Sequence, residues 1–281
     1  MCDQDHFEED LKRYTRRDAG VLAAAVGVAI ALPRVANAVD VNESEVTVPT
    51  PDGECDAYYA APITGSHAAV LVWPDIFGLR PAFRQMGKRL AEAGYSVLVV
   101  NPFYRTQRAP TAPQGASTPI PEVRPLAQSL NPQTQVTDAR AFVAWLDARP
   151  EVDTGRKMGT IGYCMSGSFV MRTAATLPDR IGAGGSFHGG GLTTDNPDSP
   201  HLLIPQMQAQ FLIAIAENDD ERDPESKNIL REAFAEANVP AEIEVYPAAH
   251  GWCPPDTLVY DQQQSERAWG RMMALFGNAL A

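Results

Sequence analysis

Positive charge is scarce in this chain. Lys and Arg number 23 against 35 Asp and Glu, a formal net charge of −12. Nucleic acid needs a basic surface, so it is excluded as a partner. No polybasic patch offers itself to anionic lipid. Metal-ligand spacings are missing, as are a phosphate loop and a dinucleotide fingerprint. No metal or other cofactor is therefore expected. There is no internal repeat, and the apolar stretch at residues 19–32 falls short of the roughly twenty residues of a membrane span.

Cysteine is sparse too, at four residues. Cys2 lies in the first segment, which reads as a leader. Cys55, Cys164 and Cys253 then remain, an odd number, so one is free or bridges between chains. A Cys55–Cys253 pair with a free Cys164 is one arrangement, if their Cα atoms are close enough.

Against those absences stand 281 residues, enough for one large α/β domain with a sizeable core. The leader is separate from it. Arg16 and Arg17 precede the apolar stretch, and Ala36-Asn37-Ala38 makes an A-x-A cleavage pattern. Together these read as a bacterial twin-arginine signal over residues 1–38. The expected mature protein spans residues 39–281 and is periplasmic or secreted. Its partner in transit is the twin-arginine export machinery, and no stable membrane anchor survives cleavage.

From residue 45 the pattern alternates strands and helices. Residues 45–48 and 55–60 read as a β-hairpin. Buried strands are expected at 67–73, 95–100, 157–162, 181–187, 211–216 and 241–246. Helices are expected at 81–93, 134–148, 168–177, 224–237 and 261–280. Between residues 101 and 131 no period persists, which suggests a lid or a wall beside a site. The expected fold is α/β, with a mostly parallel central sheet flanked by helices on both faces.

One stretch carries chemistry. Gly162-Tyr163-Cys164-Met165-Ser166-Gly167 has the spacing of a nucleophile elbow, with Cys164 at the apex and Ser166 where a fifth-position Gly usually stands. A sharp strand-to-helix turn brings backbones close, so small neighbours are required. A buried cysteine behind a Gly-rich turn is the plain alternative. Past the ends of later strands come Asp219 or Asp220, and then His250. Nucleophile, acid and base in that order are the α/β-hydrolase order. The chemistry is thiolate attack on a carbonyl. Imidazole shuttles the proton, and a carboxylate fixes its tautomer. The Met165 N–H opens the helix as one oxyanion donor, and the loop after the 67–73 strand supplies the second at Ile76.

The sequence resembles the dienelactone hydrolase family of the α/β-hydrolase superfamily. The resemblance rests on Trp73-Pro74-Asp75-Ile76-Phe77-Gly78-Leu79, Gly162-Tyr163-Cys164-Met165-Ser166-Gly167, Ala216-Glu217-Asn218-Asp219 and Tyr246-Pro247-Ala248-Ala249-His250-Gly251. It implies an α/β-hydrolase fold with Cys164 as nucleophile, His250 as base and Asp219 as acid. It also implies a small-molecule ester or lactone as substrate. Where the family has a Glu that helps deprotonate the thiol, this chain has Asp75, one methylene shorter. Of two family arginines for the substrate carboxylate, Arg105 lies one position from the first. Pro254 stands about where the second would be, so dienelactone itself is not the expected substrate. Phe77, Arg105, His188 and Trp252 are the remaining pocket candidates. His188-Gly189-Gly190-Gly191 is similar to a lipase oxyanion motif, but it follows the nucleophile instead of preceding it. The rival functions are a broad carboxylesterase and a non-catalytic binding protein on the same fold.

Overall fold

A computed structural model describes residue 13 and residues 31–281. Among the described residues eight strands form one sheet: β1 Val41–Thr50, β2 Gly53–Pro62, β3 Ala69–Trp73, β4 Ser96–Val100, β5 Met158–Tyr163, β6 Ile181–Phe187, β7 Gln210–Ala216 and β8 Ala241–Tyr246. Their spatial order is β1-β2-β4-β3-β5-β6-β7-β8. The β1–β2 and β2–β4 pairings are antiparallel, and all the others are parallel.

The α-helices within residues 31–281 are α1 Pro81–Glu92, α2 Ile120–Gln128, α3 Pro132–Asp147, α4 Gly167–Thr176, α5 Glu217–Arg222, α6 Ser226–Glu236 and α7 Gln262–Ala279. They cover both faces, and the alternation along each strand shows how. In β4, Val97 and Val99 join the core under α1 and α7, with Phe83, Leu90, Met272 and Phe276. Leu98 and Val100 point into the opposite core, with Phe142 of α3, Phe169 of α4 and Phe234 of α6. Strands buried on both faces read as unbroken apolar runs, which is why β3 and β4 stand out in the sequence.

The chain runs from β3 outward to β4, then returns to β5 on the other side of β3. That reversal opens a crevice beyond the carboxyl ends of β3 and β5, where α/β sheets bind ligands. The loop at Pro74–Gly78 and the turn at Cys164 both lie there.

Four expectations are corrected. Residues 101–131 contain a helix, α2, hidden by Pro121 in its first turn and Pro125 inside it. It still buries Ile120, Val123 and Leu126 on one side. The acidic run after β7, where no helix is expected, forms the short helix α5. The helix expected from residue 224 begins at Ser226. No disulfide joins Cys55 to Cys253: they are buried in the two cores on opposite faces of the sheet.

Arg16, Arg17 and the leader's apolar stretch as far as residue 30 lie outside the described residues. Ala36 and Asn37 form an exposed turn just ahead of β1. Among the described residues no helix is long and apolar enough to cross a membrane.

Candidate active site

The turn after β5 has the strain that its sequence requires. Cys164 sits at φ +56°, in the left-handed region that a side chain with a Cβ rarely adopts. One 3-10 turn, Cys164–Ser166, then leads straight into α4. A Cβ on Gly162 would overlap the Ser166 carbonyl, and one on Gly167 would lie 2.7 Å from the Gly189 Cα. Both positions must therefore be glycine. Ser166 keeps its Cβ because its hydroxyl has a partner, donating to the Pro74 carbonyl. That bond ties the elbow to the loop after β3. The Gly190 N–H donates to the Cys164 carbonyl at 3.0 Å, which fixes the turn from the β6 side.

The ends of β7 and β8 bring His250 and Asp219 together. His250 Nδ1 is 2.6 Å from Asp219 Oδ2. The His250 backbone N–H donates to Asn218 Oδ1 at 2.8 Å, and the Glu217 N–H donates to the Ala248 carbonyl at 3.0 Å. Bonding at Nδ1 leaves Nε2 as the ring position that can exchange a proton. Asp220 is engaged elsewhere: Lys227 Nζ donates to its two oxygens at 2.6 and 2.7 Å. Of the two adjacent carboxylates, Asp219 is the one within hydrogen-bond distance of the imidazole.

Cys164, His250, Asp219, Ile76, Met165, Phe77, His188 and Asp75 line one cavity of about 660 Å³. Met165 stands in the first turn after the cysteine, where N–H groups have no intrahelical acceptor. Ile76 follows Asp75 in a turn whose shape Asp75 sets. Asp75 Oδ1 accepts from the Phe77 N–H at 2.9 Å, and its backbone carbonyl accepts from the Gly78 N–H at 2.9 Å.

Asp75 also binds Arg80 in a fork, at 2.6 Å through Oδ1 and 2.9 Å through Oδ2. Burial raises its pKa, and Arg80 pulls it back down. A relay that carries this carboxylate to the sulfur would have to break both bonds. Arg80 is itself buried and reaches on to Asp256, in the loop behind His250. Nothing in the local sequence marks that second contact.

Two pocket candidates are not part of the cavity lining. Arg105 is bound by Asp52 at 2.6 Å and by Asp138 at 2.7 and 2.8 Å. Trp252 is fully buried, stacked on Tyr246 with ring centroids 5.2 Å apart. His188 lies between Trp252 and His250, at centroid distances of 5.0 and 5.1 Å, at φ +41°. Among the described residues neither of its ring nitrogens has a hydrogen-bond partner. Burial, followed by the neighbouring His250, lowers its pKa well below the usual value, so it stays neutral.

Comparison with known proteins agrees with this architecture. The profile described as "Dienelactone hydrolase family" matches residues 55–280. A Rhodococcus opacus carboxymethylenebutenolidase is 30% identical over 192 residues, covering 68% of this chain and 72% of its own. Among solved structures, a dienelactone hydrolase-like promiscuous phosphotriesterase from metagenomic libraries superposes with a TM-score of 0.70 at 22% identity, covering 86% of this chain and 99% of its own. A dienelactone hydrolase from Anabaena variabilis gives 0.62 at 16%, again covering 86% and 99%. With the family profile spanning nearly the whole sheet and the crevice, the chain belongs to the dienelactone hydrolase family and is a hydrolase of carboxylic ester or lactone bonds.

Proposed function

We propose that this hydrolase works through Cys164 as nucleophile, His250 as base and Asp219 as the group that orients His250. The observation that carries the reading is the strained apex at Cys164, which opens on the same cavity as an imidazole already held by Asp219 at 2.6 Å. The positive end of the α4 dipole favours a thiolate. His250 takes the thiol proton as sulfur adds to the carbonyl carbon. The N–H groups of Met165 and Ile76 hold the oxyanion. Collapse gives a thioester, and His250 passes its proton to the departing alkoxide. Water then adds to the thioester with His250 as base, releasing the acid and restoring the thiol.

The test compares wild type with Cys164→Ala and His250→Ala on short esters and lactones. Each variant should lose several orders of magnitude of turnover, because such groups act as a unit. Retained turnover in either variant would overturn the assignment. A Cys164 unreactive to alkylation in the wild type would favour a binding protein instead.

Export by the twin-arginine route belongs to the same proposal. It is supported by Arg16-Arg17, the short apolar stretch and the exposed turn at Ala36-Asn37. N-terminal sequencing of exported material should begin near Val39, and an intact Met1 would overturn it.

A further inference from the structure

We infer that the substrate is an open-chain, uncharged ester with an apolar group on each side of its carbonyl. The inference rests on Cys164 as the nucleophile and adds the class of substrate. Two apolar clusters, built by different elements, reach the cavity. The first comprises Ile76 and Phe77 of the loop after β3, together with Ala116 of the 3-10 turn Gly115–Ser117 and Ile120 at the start of α2. The second comprises Phe169 of α4, Leu192 of the loop after β6 and Leu230 of α6, backed by Ile215 of β7. Met165, the residue after Cys164, packs against both. Apolar surface thus extends from the neighbour of the nucleophile into two separate patches.

An ester carbonyl has two substituents, the acyl chain and the alkoxy chain, which diverge from the reacting carbon. Two apolar patches meeting beside the sulfur suit two such chains. A lactone joins its substituents in one ring and can fill only one patch. Charge points the same way. Four carboxylates, Asp75, Asp219, Asp220 and Asp223, line the cavity against three cations, Arg124, Arg222 and Lys227. Lys227 is held by Asp220, and Arg222 lies 3.8 Å from Asp219. With no surplus of positive charge, the cavity does not select an anion. Its volume, about 660 Å³, falls within the range of about 300–1,000 Å³ that encloses small organic ligands.

The test is a matrix of kcat/KM values for methyl hexanoate, hexyl acetate, hexyl hexanoate, caprolactone and a butenolide bearing a carboxylate. A fully buried methylene multiplies binding by about fourfold, so the four or five that the second chain adds give about tenfold or more even when half-buried. Hexyl hexanoate should therefore exceed both single-chain esters by at least about tenfold, and both lactones should fall below it. Ala116→Phe and Leu192→Phe each fill one patch. They should shift the ratio of methyl hexanoate to hexyl acetate in opposite directions. Preference for either lactone, or no gain from the second chain, would overturn the inference, and the wild-type series alone decides that point. A shift in the same direction by both properly folded variants would also overturn it. Turnover that survives in Cys164→Ala would instead count against the nucleophile, which keeps the two failures distinct.

Discussion

The guanidinium of Arg80 reaches Asp256, 176 positions along the chain, through hydrogen bonds of 2.6 and 2.9 Å. Its other edge holds Asp75. One buried cation therefore joins the loop that carries Ile76 to the loop that follows His250. Thr257, next to Asp256, donates its hydroxyl to the Gly251 carbonyl at 2.8 Å, which returns the connection to the residue beside the histidine. The two halves of the crevice come from β3 and β8, which are not neighbours in the sheet. A rigid fork between them sets their separation.

Replacing Arg80 by Met should be costly, and the cost should depend on pH. Asp75 would stay buried without its cation, a loss of about 3–5 kcal/mol at neutral pH. Burial already raises the pKa of Asp75, and removing Arg80 removes the main opposing influence. A carboxyl whose folded pKa lies above its unfolded value takes stability away as pH rises from the unfolded value through the folded one. Well below about pH 4 both states hold the proton and that penalty disappears. Urea unfolding of Arg80→Met and wild type should give a gap that narrows as pH falls from 7 toward 4. A gap independent of pH would mean that Asp75 does not feel the charge of Arg80.

The adjacent carboxylates Asp219 and Asp220 should separate cleanly by mutation. Asp219→Asn changes the partner of His250 Nδ1 and with it the favoured tautomer, so turnover should fall by about ten-thousandfold. Asp220→Asn loses a partly exposed pair with Lys227, worth about 0.2–1 kcal/mol of stability. Its turnover should change by less than about fivefold, the factor to which the upper end of that energy corresponds. Steady-state kinetics on one ester decides between them, and the reverse order would move the orienting role to Asp220.

This pair also marks where the sequence stops being informative. Asp219 and Asp220 follow the same strand, and either could face the histidine. Lys227, on α6, removes one of them, and only the fold brings it there. The elbow was legible because its constraints are local: the positive φ at Cys164 and the missing side chains at Gly162 and Gly167 fall within six positions. The sheet was legible because strands buried on both faces are continuous apolar runs. The helix α2 was not, because Pro121 and Pro125 look like breakers. Pro121 lies in the first turn, where its N–H would lack an intrahelical acceptor in any case. Arg105 misled for the opposite reason. A lone arginine near a site looks like an anion anchor until Asp52 and Asp138 are seen to hold it.

The last prediction concerns Asp75 and the thiol. Because Arg80 grips both of its oxygens, Asp75 cannot swing to the sulfur as a mobile base. It still carries charge beside the cavity. Asp75→Asn removes one negative charge, and the presence of Arg80 does not cancel that difference: the potential at Cys164 becomes more positive by the same unit charge, weakened only by distance and dielectric. A more positive potential favours the thiolate, so Cys164 should react with iodoacetamide faster at neutral pH, with its rate profile shifted to lower pH. Ester turnover should fall in the same variant, because an amide holds Arg80 less well and the turn presenting the Ile76 N–H loosens. Faster alkylation with slower turnover would separate the charge of Asp75 from its task of shaping that turn. An unchanged alkylation profile would show that Asp75 is electrostatically remote from the sulfur and that its contribution is the shape of the loop alone.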